Sequence, residues 1–284
     1  MFAIINVVAP IFALIALGYV AVRLKFYPSS GVNALVMFVN NFARPCLLFN
    51  SMLTSDFRTA FNPSIIVPFY IGAIFSLLVG AIIARRLFGN APEEAISSGF
   101  AAMFTNTLPV GFPVIHRAYG DEALPYIFSI IGFHGPLLLT GGMLIMELVR
   151  REGATLGRTL VVAARRIAGN PLIWGIFGGV IGNFAGLHLV EPAAAFFTMM
   201  GQAVVPAALF GIGGALNEYK FSENWQQAAA MTVLKLVVHP LIAYVLMVPV
   251  LHVDPKIARY GILLAAMPSG INAYVFATYY NKGT

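Results

Sequence analysis

Charged residues and cysteine are both scarce in this chain. Asp, Glu, Lys and Arg make up 10% of its 284 residues, against roughly 25% in a soluble domain. Hydrophobic residues make up 59%, and Cys46 is the single cysteine, which excludes an internal disulfide. The formal charge of +6 does not predict nucleic-acid binding, because no soluble domain is present to carry a binding face. The composition predicts an all-α membrane protein with several spans.

Acidic residues are missing from the centres of the hydrophobic stretches. All eleven lie in predicted loops or near span ends. Sodium sites are commonly helped by a carboxylate, and proton-driven carriers often use a buried acid, so an acid-based cation site is disfavoured. Sodium held by carbonyl oxygens alone stays open. The five histidines are scattered and no His-Glu-x-x-His motif occurs, so neither an enzyme, a metal site nor a cofactor is expected.

Hydropathy and helix breakers predict nine membrane spans. Eleven basic residues fall in the loops on one side of these spans and four on the other, so the richer side is expected to be cytoplasmic. The N-terminus then faces out and the loop at 150–166 faces in. The predicted spans cover residues 3–22, 31–54, 63–88, 95–118, 121–149, 159–184, 192–216, 225–251 and 257–280.

Two distant hydrophobic stretches are interrupted in the same way, and both begin Ala-Ala-Met. The first covers residues 101–113 and the second residues 265–274. Each then contains proline, glycine and asparagine, which predict a helix break near mid-membrane. Exposed backbone groups are not tolerated in lipid, so such breaks must lie within protein or line a wet cavity. Matching breaks in two halves of a chain are typical of a transporter's substrate site, although a pair of structural kinks is the simpler alternative.

The two halves repeat at an offset of about 161 residues. Pro10 corresponds to Pro171, and Pro45 to Pro206. Because five spans are an odd number, the second copy must be inverted in the membrane. We therefore predict a first repeat at 1–149, a linker at 150–158 and an inverted repeat at 159–284. The symmetry requires a tenth helix, so the sequence is expected to be truncated.

Two basic residues, Arg44 and Lys235, lie inside predicted spans. Each costs about 2.5–3.5 kcal/mol at mid-helix on an insertion scale, and no acid lies at that depth to compensate. A water-filled cavity or an anionic substrate could offset this cost, and arginine can bind a carboxylate through two hydrogen bonds. Arg44 could instead bond carbonyl groups freed by Pro45, and Lys235 could be structural or snorkel. His239, one turn after Lys235, could share its cavity or a proton, or simply pack.

Further polar groups surround the predicted breaks. Helix N-termini restarting after a break carry about half a positive charge and attract anions. Gln202, Asn40 and Asn41 could face the same cavity or make structural hydrogen bonds, and His134 is interpreted as a helix-bend residue. The predicted substrate ligands are Arg44, Asn106, Thr107, Pro109, Gly111, Pro268, Ser269, Gly270 and Asn272, with Lys235, His239 and Gln202 for proton or substrate coupling.

Three stretches have a distinctive composition: Asn41-Phe-Ala-Arg-Pro-Cys-Leu-Leu-Phe49, the Asn-Thr-Leu-Pro-Val-Gly-Phe-Pro stretch at 106–113 and Met267-Pro-Ser-Gly-Ile-Asn-Ala-Tyr274. They resemble the auxin efflux carrier family, which includes plant PIN-formed proteins and bacterial organic-acid carriers. The resemblance implies a ten-helix inverted-repeat fold. Spans one, two, six and seven would form a scaffold, and spans three to five and eight to ten a moving domain. Spans four and nine would cross, and Arg44 would project toward that crossing from the scaffold. The short linker at 150–158 suggests a bacterial type, in the inner (plasma) membrane.

The sequence as a whole predicts a secondary transporter. It would move a small mono- or dicarboxylate, such as malonate or malate, by an elevator-type shift. A sodium-coupled carrier of bile-acid type is the main alternative, and an anion channel is a further one. Import or export and the coupling ion stay open, as does the oligomeric state, for which a homodimer is one option. The expected partners are the carboxylate substrate and the lipid bilayer.

Overall fold

A computed structural model of the chain describes residues 2–54, 62–150, 157, 161, 164–165, 168–169, 171–217 and 224–280. Within these residues the regular structure is helical and no strand is present, which confirms an all-α fold. The α-helices are α1 (Phe2–Arg23), α2 (Ser29–Phe38), α3 (Arg44–Thr54), α4 (Pro63–Arg86), α5 (Pro92–Met103), α6 (Phe112–Tyr119), α7 (Leu124–Val149), α8 (Pro171–Phe184), α9 (Glu191–Ala215), α10 (Trp225–Val233), α11 (His239–Val245), α12 (Pro255–Ala265) and α13 (Ile271–Tyr280).

Several helical runs are long and apolar enough to cross a membrane. Two shorter apolar helices, Ala9–Arg23 and Pro171–Phe184, accompany them. The chain is therefore a multi-pass membrane protein. The nine-span count, the tenth helix and the inverted repeat remain predictions. Most of the predicted linker at 150–158 lies outside the described residues. The five long runs are Ser29–Thr54, Pro63–Arg86, Thr107–Val149, Glu191–Ala215 and Trp225–Val250.

Proline explains why several of these runs are not regular α-helix. Each π-helical segment either contains a proline or is followed by one within two residues. Proline cannot donate to the carbonyl four residues earlier and its ring clashes with it. A wider π turn relieves that clash locally, and such turns are frequent at functional sites. The π segments cover Val39–Ala43, Thr107–Gly111, Leu234–Val238 and Leu246–Val250.

The chain divides into two compact units. The first comprises residues Met1–Arg58, Leu108–Glu122 and Ala168–Phe221, and the second comprises Thr59–Thr107, Ala123–Ile167 and Ser222–Thr284. Predicted spans one, two and seven lie in the first unit, as do residues 168–184 of span six. Spans three, eight and nine lie in the second, as do residues 123–149 of span five, and span four is divided between the two. The boundaries of the predicted repeats stay a prediction.

In the first unit, glycine brings helix backbones close together. A side chain at Gly18 of α1 would meet the carbonyl of Phe210 on α9, and one at Gly213 would meet the carbonyl of Ile15. Helix α8 approaches α3 in the same way, because a side chain at Gly175 would meet the backbone of Pro45. Such small residues are typical of helix contacts in membranes. Lipid tails are as apolar as the helix surfaces, so close van der Waals packing is a main source of attraction between helices there.

In the second unit, α4 packs along α5 through a similar contact. The Cα of Gly99 lies about 3.0 Å from where a Cβ on Gly80 would be. The rings of Phe100 and Phe276 stack with centroids 4.0 Å apart, and a side chain at Gly142 would collide with the Phe100 ring. This packing fixes the end of α5, where the candidate site begins.

Candidate functional site

Two non-helical stretches meet inside the second unit. The first follows the end of α5 at Met103, and the second lies between the end of α12 at Ala265 and the start of α13 at Ile271. The N–H of Asn106 donates to the carbonyl of Pro268 at 2.8 Å, and the N–H of Gly270 donates to the carbonyl of Phe104 at 3.0 Å. Backbone groups that an α-helix would have paired internally are therefore paired across the two stretches, as burial in a membrane requires.

Ser269 links the second stretch to the end of α5. Its hydroxyl donates to the carbonyl of Ala101 at 2.6 Å, which is one of the carbonyl groups that the end of α5 leaves without a helical partner. Pro268 and Ser269 are exposed, whereas Gly270 is buried against the ring of Phe104. The junction thus combines a buried glycine with an exposed hydroxyl.

His134 of α7 contacts the first stretch. Its Nε2 lies 3.1 Å from the N–H nitrogen of Thr105 and 3.0 Å from the carbonyl oxygen of the same residue. An Nε2 without a proton accepts from the N–H, and a protonated Nε2 donates to the carbonyl. The side chain is 2% exposed, and its Nδ1 has no hydrogen-bond partner among the described residues. The sequence pattern suggested only a helix bend here, because no local spacing shows a bond to a residue 29 positions away.

Lys235 contacts the end of α12. Its ammonium donates to the carbonyl of Ala265 at 2.9 Å and lies 2.8 Å from Nδ1 of His239. Nε2 of His239 lies 3.0 Å from the carbonyl of Phe69 on α4, so that nitrogen carries the proton and Nδ1 accepts from lysine. A cation at a helix C-terminus is favoured by the helix dipole. Lys235 and His239 are 1% and 0% exposed, so this pair lies within the protein interior.

Arg44 lies in the first unit, directly after the π segment Val39–Ala43. Its Nη1 donates to Oδ1 of Asn40 at 2.6 Å. The bonded acceptor is thus a side-chain amide and not one of the helix carbonyls freed by Pro45. Arg44 is 6% exposed, and its Nε has no hydrogen-bond partner within the described part of the chain. A buried guanidinium with an unused donor has capacity to bind one more acceptor.

Among the described residues, neither of the two buried cations, Arg44 and Lys235, has an acidic partner, because neither forms an ion pair with a carboxylate. The same residues contain no group of three or more His, Cys, Asp or Glu that could hold a metal ion. Within the described part of the chain, the hydrogen-bond partners of the two cations are therefore an amide, an imidazole and a backbone carbonyl, none of which carries a negative charge.

The remaining predicted residues are distributed over both units. Asn106 and Thr107 are buried in the second unit, and Asn272 is half-buried on the first turn of α13. Pro109 and Gly111 lie on the π segment Thr107–Gly111, in the part assigned to the first unit. Gln202 is exposed on α9 of the first unit. The second unit thus brings together Asn106, Pro268, Ser269 and Gly270, with Lys235 bonded to the adjacent helix end.

Comparison with known proteins gives the class of this chain. A family model described as "Membrane transport protein" matches residues 3–284. The chain belongs to this auxin efflux carrier-like family. The protein is therefore a membrane transporter, as the broken hydrophobic stretches predicted, and membership of a transporter family agrees with the expectation that it is not an enzyme.

Three relatives are similar to this chain over 95% or more of its length. A protein of Rhizobium meliloti (strain 1021) named "Putative malonate transporter" is 27% identical over 282 residues, covering 97% of this chain and 86% of the relative. An "Uncharacterized transporter" of Methanothermobacter thermautotrophicus is 25% identical over 285 residues, covering 95% and 86%. The "Lysosomal cholesterol signaling protein" of Mus musculus is 25% identical over 301 residues, covering 95% of this chain but 33% of that protein.

Proposed function

We propose that this transporter carries a small organic anion, a mono- or dicarboxylate of the malonate or malate type. The observation that carries the proposal is that two cations, Arg44 and Lys235, are buried in helical runs without a carboxylate partner among the described residues. A buried charge is costly unless it is paired. An anionic substrate would supply the missing charge during transport. The relative named as a malonate transporter favours a dicarboxylate.

The substrate site is proposed at the junction in the second unit. There the exposed Ser269 and the first turn of α13, which holds Asn272, offer a hydroxyl and an amide. The junction also exposes backbone close to a helix N-terminus, which favours anions. Arg44, which belongs to the first unit, is retained separately as a proposed carboxylate ligand on the grounds of its charge, its burial and its unused Nε.

An elevator-type alternating access is the proposed mechanism, with an inverted repeat as its structural basis. The division of the chain supports it, because predicted scaffold spans one, two and seven, with residues 168–184 of span six, share one compact unit. Predicted spans three, eight and nine, with residues 123–149 of span five, share the other. The π segment Thr107–Gly111 contains Pro109, and the chain passes from the second unit to the first within it, between residues 107 and 108. It is a candidate hinge, because a π turn with proline has lost regular hydrogen bonding.

Transport by purified protein in liposomes tests the proposal. Wild type should take up radiolabelled malonate or malate, and Arg44→Gln should reduce initial uptake at least tenfold, since hydrogen bonds to a charged group are worth about 1.5–3 kcal/mol each. Arg23→Gln, which removes an exposed charge at the end of α1, is the matched control and should leave uptake unchanged. Equal uptake by Arg44→Gln and wild type would remove Arg44 from the site.

The same liposomes distinguish the alternatives. Uptake that requires sodium would indicate a sodium-coupled carrier of bile-acid type, and single-channel currents in a planar bilayer would indicate a channel. A pH gradient that drives uptake would implicate Lys235 and His239 in proton coupling. Absence of uptake for every mono- and dicarboxylate tested would refute the proposed substrate class.

Orientation and location are also proposals. We place the N-terminus outside and the loop at 150–166 on the cytoplasmic side of a bacterial inner membrane, because basic residues such as Arg23, Arg85 and Arg86 end helices on one predicted side. A cysteine introduced at Ser29 in a Cys46→Ser background should be protected from a membrane-impermeant maleimide in intact cells. Labelling of that cysteine in intact cells would reverse the orientation.

A further inference from the structure

A groove beside the end of α4 has a chemistry unlike that of the proposed substrate site. It lies on the second unit and has a volume of about 260 Å³. None of the residues that line it belongs to the proposed site. Its walls are formed by Ala81, Ile82, Ile96 and Val149, with Arg85 and Arg86 also lining it.

The groove lies where a bilayer has its headgroups. Helix α4 has 24 residues and is therefore about 36 Å long at 1.5 Å per residue, which slightly exceeds a hydrocarbon core of about 30 Å. Arg85 and Arg86 are exposed in its last turn. Whichever end of α4 is cytoplasmic, these two guanidinium groups reach the polar edge of the membrane.

Apolar and charged residues are ordered along the groove. Ala81 and Ile82 precede the two arginines by one helical turn, and therefore lie deeper in the bilayer. Arg85 Nη1 donates to the carbonyl of Asn90 at 2.7 Å, and a guanidinium carries five N–H donors in all. Glu93 and Glu94 follow in α5, but neither lines the groove.

These features fit one end of a phospholipid. Arginine binds phosphate oxygens through paired hydrogen bonds, and an acyl chain can lie against aliphatic side chains. A cavity of about 260 Å³ is too small to enclose a drug-sized ligand. A lipid needs only partial enclosure, because its remaining chain stays in the bilayer. We infer that this groove binds one anionic phospholipid, with the phosphate on Arg85 and Arg86 and an acyl chain along Ile82, Ile96 and Val149.

Lipid titration of the full chain in detergent, followed by native mass spectrometry, tests the inference. Dioleoyl phosphatidylglycerol should bind more tightly than dioleoyl phosphatidylcholine, since a basic residue near an anionic lipid contributes about a fivefold preference. Arg85→Gln/Arg86→Gln should therefore lose roughly 25-fold in affinity for phosphatidylglycerol. Arg23→Gln/Lys25→Gln removes two exposed charges at and just beyond the end of α1 and should lose less than twofold.

Two further variants keep the test decisive if the double variant folds poorly. Arg86→Gln alone leaves the bond from Arg85 to Asn90 in place and should lose about fivefold. Ile96→Trp should fill the apolar part of the groove and weaken the binding of phosphatidylglycerol while leaving both arginines. Competition by glycerol 3-phosphate or inorganic phosphate at the same concentration would indicate an anion site without a lipid chain, and would overturn the inference. Equal affinity for the two lipids, or equal losses in the Arg85/Arg86 variant and its control, would also overturn it.

Discussion

Gly72 provides a sharp test of the Lys235–His239 pair. A Cβ placed on Gly72 of α4 would lie 2.7 Å from Cδ2 of His239 and 3.1 Å from its carbonyl oxygen. His239 cannot easily move away, because both of its ring nitrogens are within hydrogen-bond distance of a partner. Gly141 of α7 offers a matched control, since a Cβ there would meet nothing within 4 Å.

Gly72→Ala and Gly141→Ala should change the free energy of unfolding in opposite directions. Alanine is favoured over glycine inside a helix by roughly 0.5–1 kcal/mol, so Gly141→Ala should be neutral or slightly stabilising. Gly72→Ala also gains this helix preference of alanine, but an added methyl in a filled interior costs about 1–3 kcal/mol. We therefore expect the free energy of unfolding of Gly72→Ala to be about 1–3 kcal/mol below that of Gly141→Ala.

Unfolding of the purified protein in mixed micelles, titrated with sodium dodecyl sulfate and followed by circular dichroism, measures this difference. The same pair of variants in a His239→Ala background isolates the ring contact, because alanine removes the imidazole and leaves only the 3.1 Å approach to the carbonyl oxygen. There the difference should shrink by more than about 0.5 kcal/mol, the usual error of additivity. Equal stability of Gly72→Ala and Gly141→Ala in the native background would refute the placement of His239 against α4.

Three further predictions follow from single contacts, each measured by the same unfolding titration. Tyr70→Phe removes a buried hydroxyl that donates to the carbonyl of Ile130 at 2.9 Å, and should lower stability by about 0.5–1.5 kcal/mol because one buried hydrogen bond is lost; an unchanged midpoint would contradict the bond. Gly213→Ala, whose Cβ would collide with the backbone of α1, should lose more stability than Gly141→Ala, and equal values would argue against the close contact of α1 with α9. Ser269→Ala should cost only about 0.5–1.5 kcal/mol, since its hydroxyl is exposed, yet should raise the malonate concentration needed for half-maximal uptake; unaltered uptake would remove Ser269 from the site.

The sequence alone predicted the helical class and the ends of several spans. Predicted spans 63–88 and 225–251 correspond to helical runs Pro63–Arg86 and Trp225–Val250, because an apolar run bounded by proline, asparagine or charge has few other ways to satisfy its backbone. Proline and glycine also marked the stretches in which α5 ends at Met103 and α12 ends at Ala265.

The partners of the buried polar groups could not be predicted. Lys235 and Ala265 are 30 residues apart, and His134 and Thr105 are 29 apart. No local period connects such pairs, because helix packing in the second unit decides which side chain reaches which freed backbone group. His134 carried no signal beyond a polar residue inside a span. The π segment beside Arg44 could have been suspected from Pro45, because proline disrupts the preceding turn.

The recognition of a carboxylate by buried cations is the central claim of this account. Its most direct test is the shift in melting temperature of the detergent-purified wild type and Arg44→Gln with a panel of mono- and dicarboxylates beside their neutral amides, such as malonate beside malonamide. At least one acid should stabilise the wild type, its amide should not, and Arg44→Gln should lose the shift. Equal stabilisation by acid and amide, or no stabilisation by any acid, would contradict the claim.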